Sequence, residues 1–166
     1  MSEELGVTGP AGTTTWVKEH RRLYLRSGGV QGHIMDITGA NGFPFGTHCL
    51  IRYKGRKSGR TMINALCYGD IGGEVVICAS KGGADEPPQW LLNIYASETV
   101  DFQIATQAFR ATWREPEGAE RAKVWAFMAD CFPFYTTYQT RTARQIQLVM
   151  MKAVEAIPVF SEADLD

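Results

Sequence analysis

Within one short turn of this 166-residue chain, Gly55-Arg56-Lys57-Ser58-Gly59-Arg60, three cations and a hydroxyl fall within five residues beside two glycines. Glycine permits backbone conformations that turn amide N–H groups outward, and guanidinium forks grip paired phosphate oxygens while an ammonium adds a mobile point charge. Phosphate is therefore the expected guest. A solvated hairpin tip has the same composition, so the turn alone leaves both open. Two further segments follow it, Ala79-Ser80-Lys81-Gly82-Gly83 and Pro88-Gln89-Trp90-Leu91-Leu92-Asn93. Taken with the turn, they suit a long anionic, aromatic cofactor. The spacing matches neither the nucleoside-triphosphate loop nor the dinucleotide fingerprint.

Other chemistries lack their residues. There is no Gly-x-Ser-x-Gly elbow and no His-Glu-x-x-His; His20, His33 and His48 stand apart, so no metal site is expected. Cys131 sits on an apolar helical face, where burial makes a thiol inert. If the chain is an enzyme, a cofactor must carry the reaction.

Composition bounds the rest. With 45% apolar residues the chain can bury a proper core as one domain. A formal charge of -1 gives no overall basic field for nucleic acid. Cys49, Cys67, Cys78 and Cys131 form no Cys-x-x-Cys pair, which favours reduced thiols and a cytoplasmic setting. The N-terminus lacks the order of a secretory signal, and the longest uncharged run, 37–51, is interrupted by glycines and Pro44.

The elements that must hold these residues are read from periodicity. Residues 1–12 have the composition of a flexible tail, 13–154 form the domain, and 155–166 form an acidic tail. Trp16, Val17, His20, Leu23 and Tyr24 recur at helical spacing until Gly28-Gly29. His48–Tyr53 and Thr61–Tyr68 flank the cationic turn as a hairpin, and Asp70-Ile71-Gly72-Gly73 is the next turn. The run Val75–Ala79 is apolar throughout, which predicts a central strand covered on both faces. Val100, Phe102 and Ile104, then Phe109, Ala111 and Trp113, alternate as two half-buried strands. Val124, Trp125, Met128, Cys131 and Phe132 give a helical face ending near Pro133, and Gln145–Met151 reads as a last strand. Five or six strands with sequential hairpins and peripheral helices predict an α+β antiparallel barrel or roll.

Arg56-Lys57-Ser58-Gly59, Asn64-Ala65-Leu66, Ala79–Gly83, Pro88-x-Trp90-x-x-Asn93 and Tyr135-Thr136-Thr137-Tyr138-Gln139-x-x-Thr142-x-Arg144 together resemble the deazaflavin-dependent nitroreductase family. The resemblance spans most of Leu50–Val149 and implies a split β-barrel of about six strands that binds coenzyme F420, an 8-hydroxy-5-deazaflavin with a phosphate and oligoglutamate tail. It implies that Arg56, Lys57 and Ser58, helped by Arg60, hold the phosphate and tail. Met62, Ile63, Asn64, Ala65, Leu66 and Cys67, then Cys78, Ala79, Ser80 and Lys81, would run along the ring, with Gly82 and Gly83 allowing close approach. Gln89, Trp90 and Asn93 would flank the cofactor; Trp90 taken alone reads as core, and the surrounding pattern reverses that.

The activity implied is hydride transfer from reduced F420 to an electron-poor small molecule, an enone, quinone or nitro compound. Tyr135, Ser80 and Tyr138 are the candidates for hydrogen-bonding substrate and supplying a proton, with Phe132 and Phe134 as an apolar wall. Ala65 stands where many members have proline, and Cys67 and Phe132 stand where the nitroimidazole-reducing type carries tyrosine, so the acceptor is expected to differ from that type. The alternative is a noncatalytic carrier of deazaflavin, flavin or haem on the same barrel. By analogy with split-barrel relatives a homodimer is expected. The basic first helix, with Lys18, Arg21, Arg22 and Arg26, would either dock on the barrel or rest peripherally on a membrane.

Overall fold

The computed structural model describes residue 7, residues 10–40 and residues 42–165. Of the expected tail at 1–12, residues 1–6, 8 and 9 lie outside the described residues.

Helix α1, Thr14–Arg26, starts where the Thr13 hydroxyl accepts from the Trp16 amide and stops at Ser27. The chain turns there because Gly29 adopts φ 86° and packs so tightly on the Ala105 carbonyl that a Cβ would overlap it. Residues Trp16, His20, Leu23, Tyr24 and Leu25 of α1 are buried, so the helix docks on the barrel. The Tyr24 hydroxyl ties the helix down: it donates to the His48 carbonyl at 3.0 Å and accepts from the Ala105 amide at 2.8 Å.

Among the described residues eight antiparallel strands follow: β1 (Ile34–Met35), β2 (Gly46–Lys54), β3 (Thr61–Cys67), β4 (Gly69–Ile71), β5 (Glu74–Cys78), β6 (Thr99–Ile104), β7 (Gln107–Arg114) and β8 (Leu148–Ile157). They lie in the order β1-β2-β6-β7-β8-β5-β4, with β3 on the other edge of β2. The expected hairpins are present as β2–β3, in register from His48↔Cys67 to Lys54↔Thr61, and β6–β7. Among the described residues four α-helices lie around the sheet: α1, α2 (Gln89–Tyr95), α3 (Gly118–Cys131) and α4 (Phe134–Thr140).

Several expectations change. The strand β5 is covered on both faces as its apolar run predicts, with Val75 and Ile77 packing inside the barrel and Val76 and Cys78 packing under α3 and α4. It is not central: it lies second from the end, between β4 and β8. The Asp70-Ile71 half of the expected turn is strand β4, and Gly72-Gly73 alone makes the turn. In β6 the polar Asp101 and Gln103 are buried too. Asp101 takes Arg52 at 2.8 Å and Arg110 at 3.1 Å, while Gln103 accepts from the Phe160 amide at 2.7 Å. Phe132 is the C-cap of α3, just past the helix, and packs in one cluster with Val124 and Met128 of its apolar face. The boundary drawn at residue 154 falls inside β8, which pairs with β7 through Ile157. Phe160 beyond it is buried against Tyr24, Leu25, Leu50 and Ile63.

Candidate functional site

The barrel ladder is interrupted where β3 and β5 face each other. β3 pairs with β2, and β5 pairs with β4 and β8, so among the described residues no ladder joins the two strands. A cavity of about 290 Å³ opens at this seam. Ala65, Leu66 and Cys67 of β3 line one side, and Cys78, Ser80, Lys81 and Gly82 line the other. Trp90 from α2 and Phe134, Tyr135 and Tyr138 from α4 close it with aromatic rings.

Trp90 reconciles its two expected roles, being both a barrel-core residue and part of this wall. The spacing of Tyr135 and Tyr138 does bring both to one face, with ring centroids 6.3 Å apart and Phe134 between 4.7 and 5.3 Å from each. Phe132 stands behind, edge-on to Tyr135 at 5.8 Å, and does not line the cavity. Ile63 points the opposite way, into the cluster with Tyr24 and Phe160. Met62 is exposed, and Asn64 accepts from the Tyr53 hydroxyl at 2.5 Å.

The segment after β5 has unusual backbone. Lys81, Gly82 and Gly83 take φ values of 45°, 64° and 85°, all in the left-handed region. Gly82 has open space where a side chain would be, whereas a Cβ on Gly83 would strike the Tyr138 carbonyl. Gly83 thus serves the packing of α4, and the wall is left to Gly82. The Ser80 hydroxyl makes no capping bond to the turn that follows it.

The basic turn is exposed over Arg56–Arg60 and is joined to the cavity through α2. The Arg56 amide and its Nη1 both donate to Asn93 Oδ1 at 2.9 Å, and Nη2 donates to Gln89 Oε1 at 3.1 Å. Residues 89 and 93 thus hold the turn while residue 90 lies in the cavity wall. Ser58 Oγ accepts from the Arg60 amide at 3.2 Å. Lys57 and Arg60 stand exposed beside it.

One part of the site was not foreseen. His20 and His48, far apart in sequence, meet edge to face with ring centroids 4.7 Å apart, beside Trp16. All three line the cavity, along with Gly12, Val17 and Ile37. His48 Nδ1 lies 2.9 Å from the Gly46 carbonyl, which can only accept, so Nδ1 carries the proton. Nε2 then accepts from the Cys67 thiol at 3.4 Å. Among the described residues no three His, Cys, Asp or Glu side chains form a metal-binding group. The only sequence signal was the helical spacing of Trp16 and His20; contact with His48 depends on how α1 lands.

Electrostatically the interior is neutral. Burial lowers both imidazoles, His48 to about 3 with His20 adding to the effect. Burial also pushes the Cys67 thiol up to about 12 and raises Cys78. The hydroxyl of Tyr135 is raised well above the usual phenol range, first by burial and then by the neighbouring Cys78. Tyr138 is raised less completely, since Arg141 opposes its burial. Lys81 brings a positive charge to the cavity edge.

An α+β split barrel with an aromatic cavity at its open seam and a basic turn braced to that cavity, similar to solved F420-dependent reductases, defines a cofactor-binding oxidoreductase of the F420-dependent class. The family model for the F420H(2)-dependent quinone reductases matches residues 16–153, and the chain belongs to that family. A relative described as an F420H(2)-dependent quinone reductase from Mycobacterium tuberculosis is 29% identical over 135 residues, covering 80% of this chain and 86% of the relative. Among solved structures, an F420-H2 dependent reductase superposes with a TM-score of 0.59 at 33% identity, covering 63% of this chain and 93% of that one. Another, described as a domain-swapped dimer, superposes with a TM-score of 0.62 at 31% identity, covering 84% and 98%. Among the described residues no helix is long and apolar enough to cross a membrane.

Proposed function

We propose that this chain reduces quinones, and related flat electron-poor carbonyl compounds, in the cavity between β3 and β5. The observation that carries the proposal is the union of that neutral, aromatic-walled cavity with the basic turn through Arg56, Gln89 and Asn93. The cavity fits a planar ring: Gly82 leaves space beside it, and the Ser80 hydroxyl is not used in capping.

When bound, reduced F420 supplies a hydride. Arg56 and Lys57 neutralise the phosphate and the acidic tail, with Ser58 and Arg60 as donors. Residues 65–67 and 78–82 flank the ring, and Trp90 packs against it. Asn93 acts through Arg56, since its side-chain oxygen is already taken by that residue.

The quinone lies against Phe134 and Tyr138, with a carbonyl oxygen toward Ser80 and Tyr138. Hydride addition leaves a phenolate oxygen, and the two hydroxyls stabilise it as it forms. Tyr135 is a positioning residue here, because it is buried and packed against Phe132, Phe134 and Tyr138. A phenol raised above its usual range keeps its proton at neutral pH, so the proton that completes the hydroquinone comes from water through Ser80 or Tyr138. The solved relative described as a domain-swapped dimer supports a homodimer here as well. A peripheral membrane contact draws no support from α1, whose Trp16, Leu23 and Tyr24 are buried and whose Arg21 and Arg26 bond to Ile63 and Glu162.

Mixing the protein with reduced F420 and a panel of quinones, enones and nitroarenes tests the proposal. Quinone-dependent oxidation is expected, with Ser80→Ala and Tyr138→Phe each lowering the single-turnover rate about 10- to 100-fold. Tight F420 binding without oxidation by any acceptor would instead mark a carrier.

A further inference from the structure

Arg144 lines no part of the cavity, yet its guanidinium holds the chain that does. Nε donates to the Ala84 carbonyl at 2.8 Å, Nη2 to the Ser80 carbonyl at 2.9 Å, and Nη1 to the Ala79 carbonyl at 3.0 Å and to Gln147 Oε1 at 2.8 Å. Arg141, just past α4, adds a bond from Nη1 to the Gly82 carbonyl at 3.1 Å. Four carbonyls of one six-residue loop are thereby drawn toward the segment following α4. The same loop carries three consecutive left-handed residues, one of them the non-glycine Lys81. Such backbone persists only where its surroundings over-determine it.

We infer that Arg144 is the positioning residue of the Ala79–Ala84 loop, setting the geometry of Ser80, Lys81 and Gly82 from behind the cavity wall. Among the described residues, the amides of Lys81 and Gly82 donate to no backbone carbonyl. Since the carbonyls of Ser80 and Gly82 are captured by the two arginines, a flip of either peptide breaks a charge-assisted hydrogen bond. The planar five-donor fork suits this task, because three carbonyls must be met from one point; an ammonium cannot span them. Gln139 supports the arrangement by donating to the Arg144 carbonyl at 2.7 Å and accepting from the Ile146 amide at 3.0 Å. That the loop's geometry matters for hydride transfer rests on the function proposed above; the clamp itself does not.

The test compares Arg144→Gln, Arg144→Lys, Arg144→Ala for chemical rescue and, as a stability control, Leu25→Ala in a separate core cluster. Amide hydrogen exchange in the ligand-free protein is the first readout. The hydrogen-bonded loop amides of Gly83 and Ala84 are expected to exchange at least tenfold faster in Arg144→Gln and Arg144→Lys, with β5 and β8 still protected, and to be unaffected in Leu25→Ala. Single turnover with reduced F420 and a quinone is the second. Arg144→Gln is expected to slow oxidation at saturating cofactor more than tenfold while cofactor affinity changes less than threefold, and added methylguanidinium is expected to restore part of the rate in Arg144→Ala. Loop exchange unchanged in Arg144→Gln and Arg144→Lys overturns the inference, as does an equal change in Leu25→Ala. If the wild type neither binds nor oxidises F420H2, the proposed function fails while the exchange data still decide the role of Arg144.

Discussion

Under the proposed function Arg56 has two roles that substitution can separate from the single role of Lys57. It braces the basic turn against Asn93 and Gln89, whereas Lys57 offers charge alone. Charge-assisted hydrogen bonds are worth roughly 1.5–3 kcal/mol each. Lys57→Ala is therefore expected to weaken F420 binding by about that amount with an unchanged melting temperature. Arg56→Ala is expected to weaken it comparably and also to lower the melting temperature. Titration at two salt concentrations checks the electrostatic origin, because both losses shrink as salt screens the wild-type contact. His48 gives a pH prediction. Its folded-state pKa is depressed to about 3, so the unfolded chain binds the extra proton between that value and 6.5. Stability from this group is complete above pH 6.5 and falls as the pH drops toward 3. The loss reaches roughly 3 kcal/mol near pH 4, and thermal melts from pH 7 to 4 should show a shallower decline in His48→Gln.

Among the elements, the loop after β5 and helix α4 fit by way of one glycine. Gly83→Ala places a methyl against the Tyr138 carbonyl and strains a residue at φ 85°, while Gly82→Ala meets open space and bears only the strain of φ 64°. Chemical denaturation should find Gly82→Ala destabilised by about 1–2 kcal/mol, the left-handed cost, and Gly83→Ala by clearly more. The first is expected to impair F420 binding despite its mild effect on folding. These elements differ in how far the sequence discloses them. The β6–β7 hairpin was legible because alternation is a local signal, and β5 because an unbroken apolar run demands cover on both faces. The burial of Asp101 and Gln103 was not legible, since their partners Arg52 and Phe160 come from distant segments. The basic turn, Trp90 and the two tyrosines could be found from motif order. The His20–His48 contact and the reach of Arg144 behind the loop depend on tertiary docking, which leaves no spacing to detect. Strands β1 and β4, of two and three residues, are too short to show a period.

At the scale of the whole molecule, the segment after β8 is a structural member. Phe160 is 1% exposed, lies under the Arg52 guanidinium at 4.3 Å, and donates its amide to Gln103. Arg52 also reaches Asp164 at 2.8 Å, so the segment is fastened at two points. Phe160→Ala is expected to cost roughly 3–5 kcal/mol in denaturant unfolding, with Asp164→Asn costing under about 1 kcal/mol because that pair is part-exposed. Burial of Phe160 closes a cluster that also holds Ile63 of β3, the strand along the cavity. The larger loss should therefore reach F420 affinity as well.

The position of β8 between β7 and β5 also has a consequence for synthesis. Both neighbours leave the ribosome earlier than the strand that joins them, so each waits with a raw edge able to pair with other nascent chains. Translation speed across residues 115–157, and chaperone capture during that interval, should then govern the yield of active protein more than the stability of the finished barrel does.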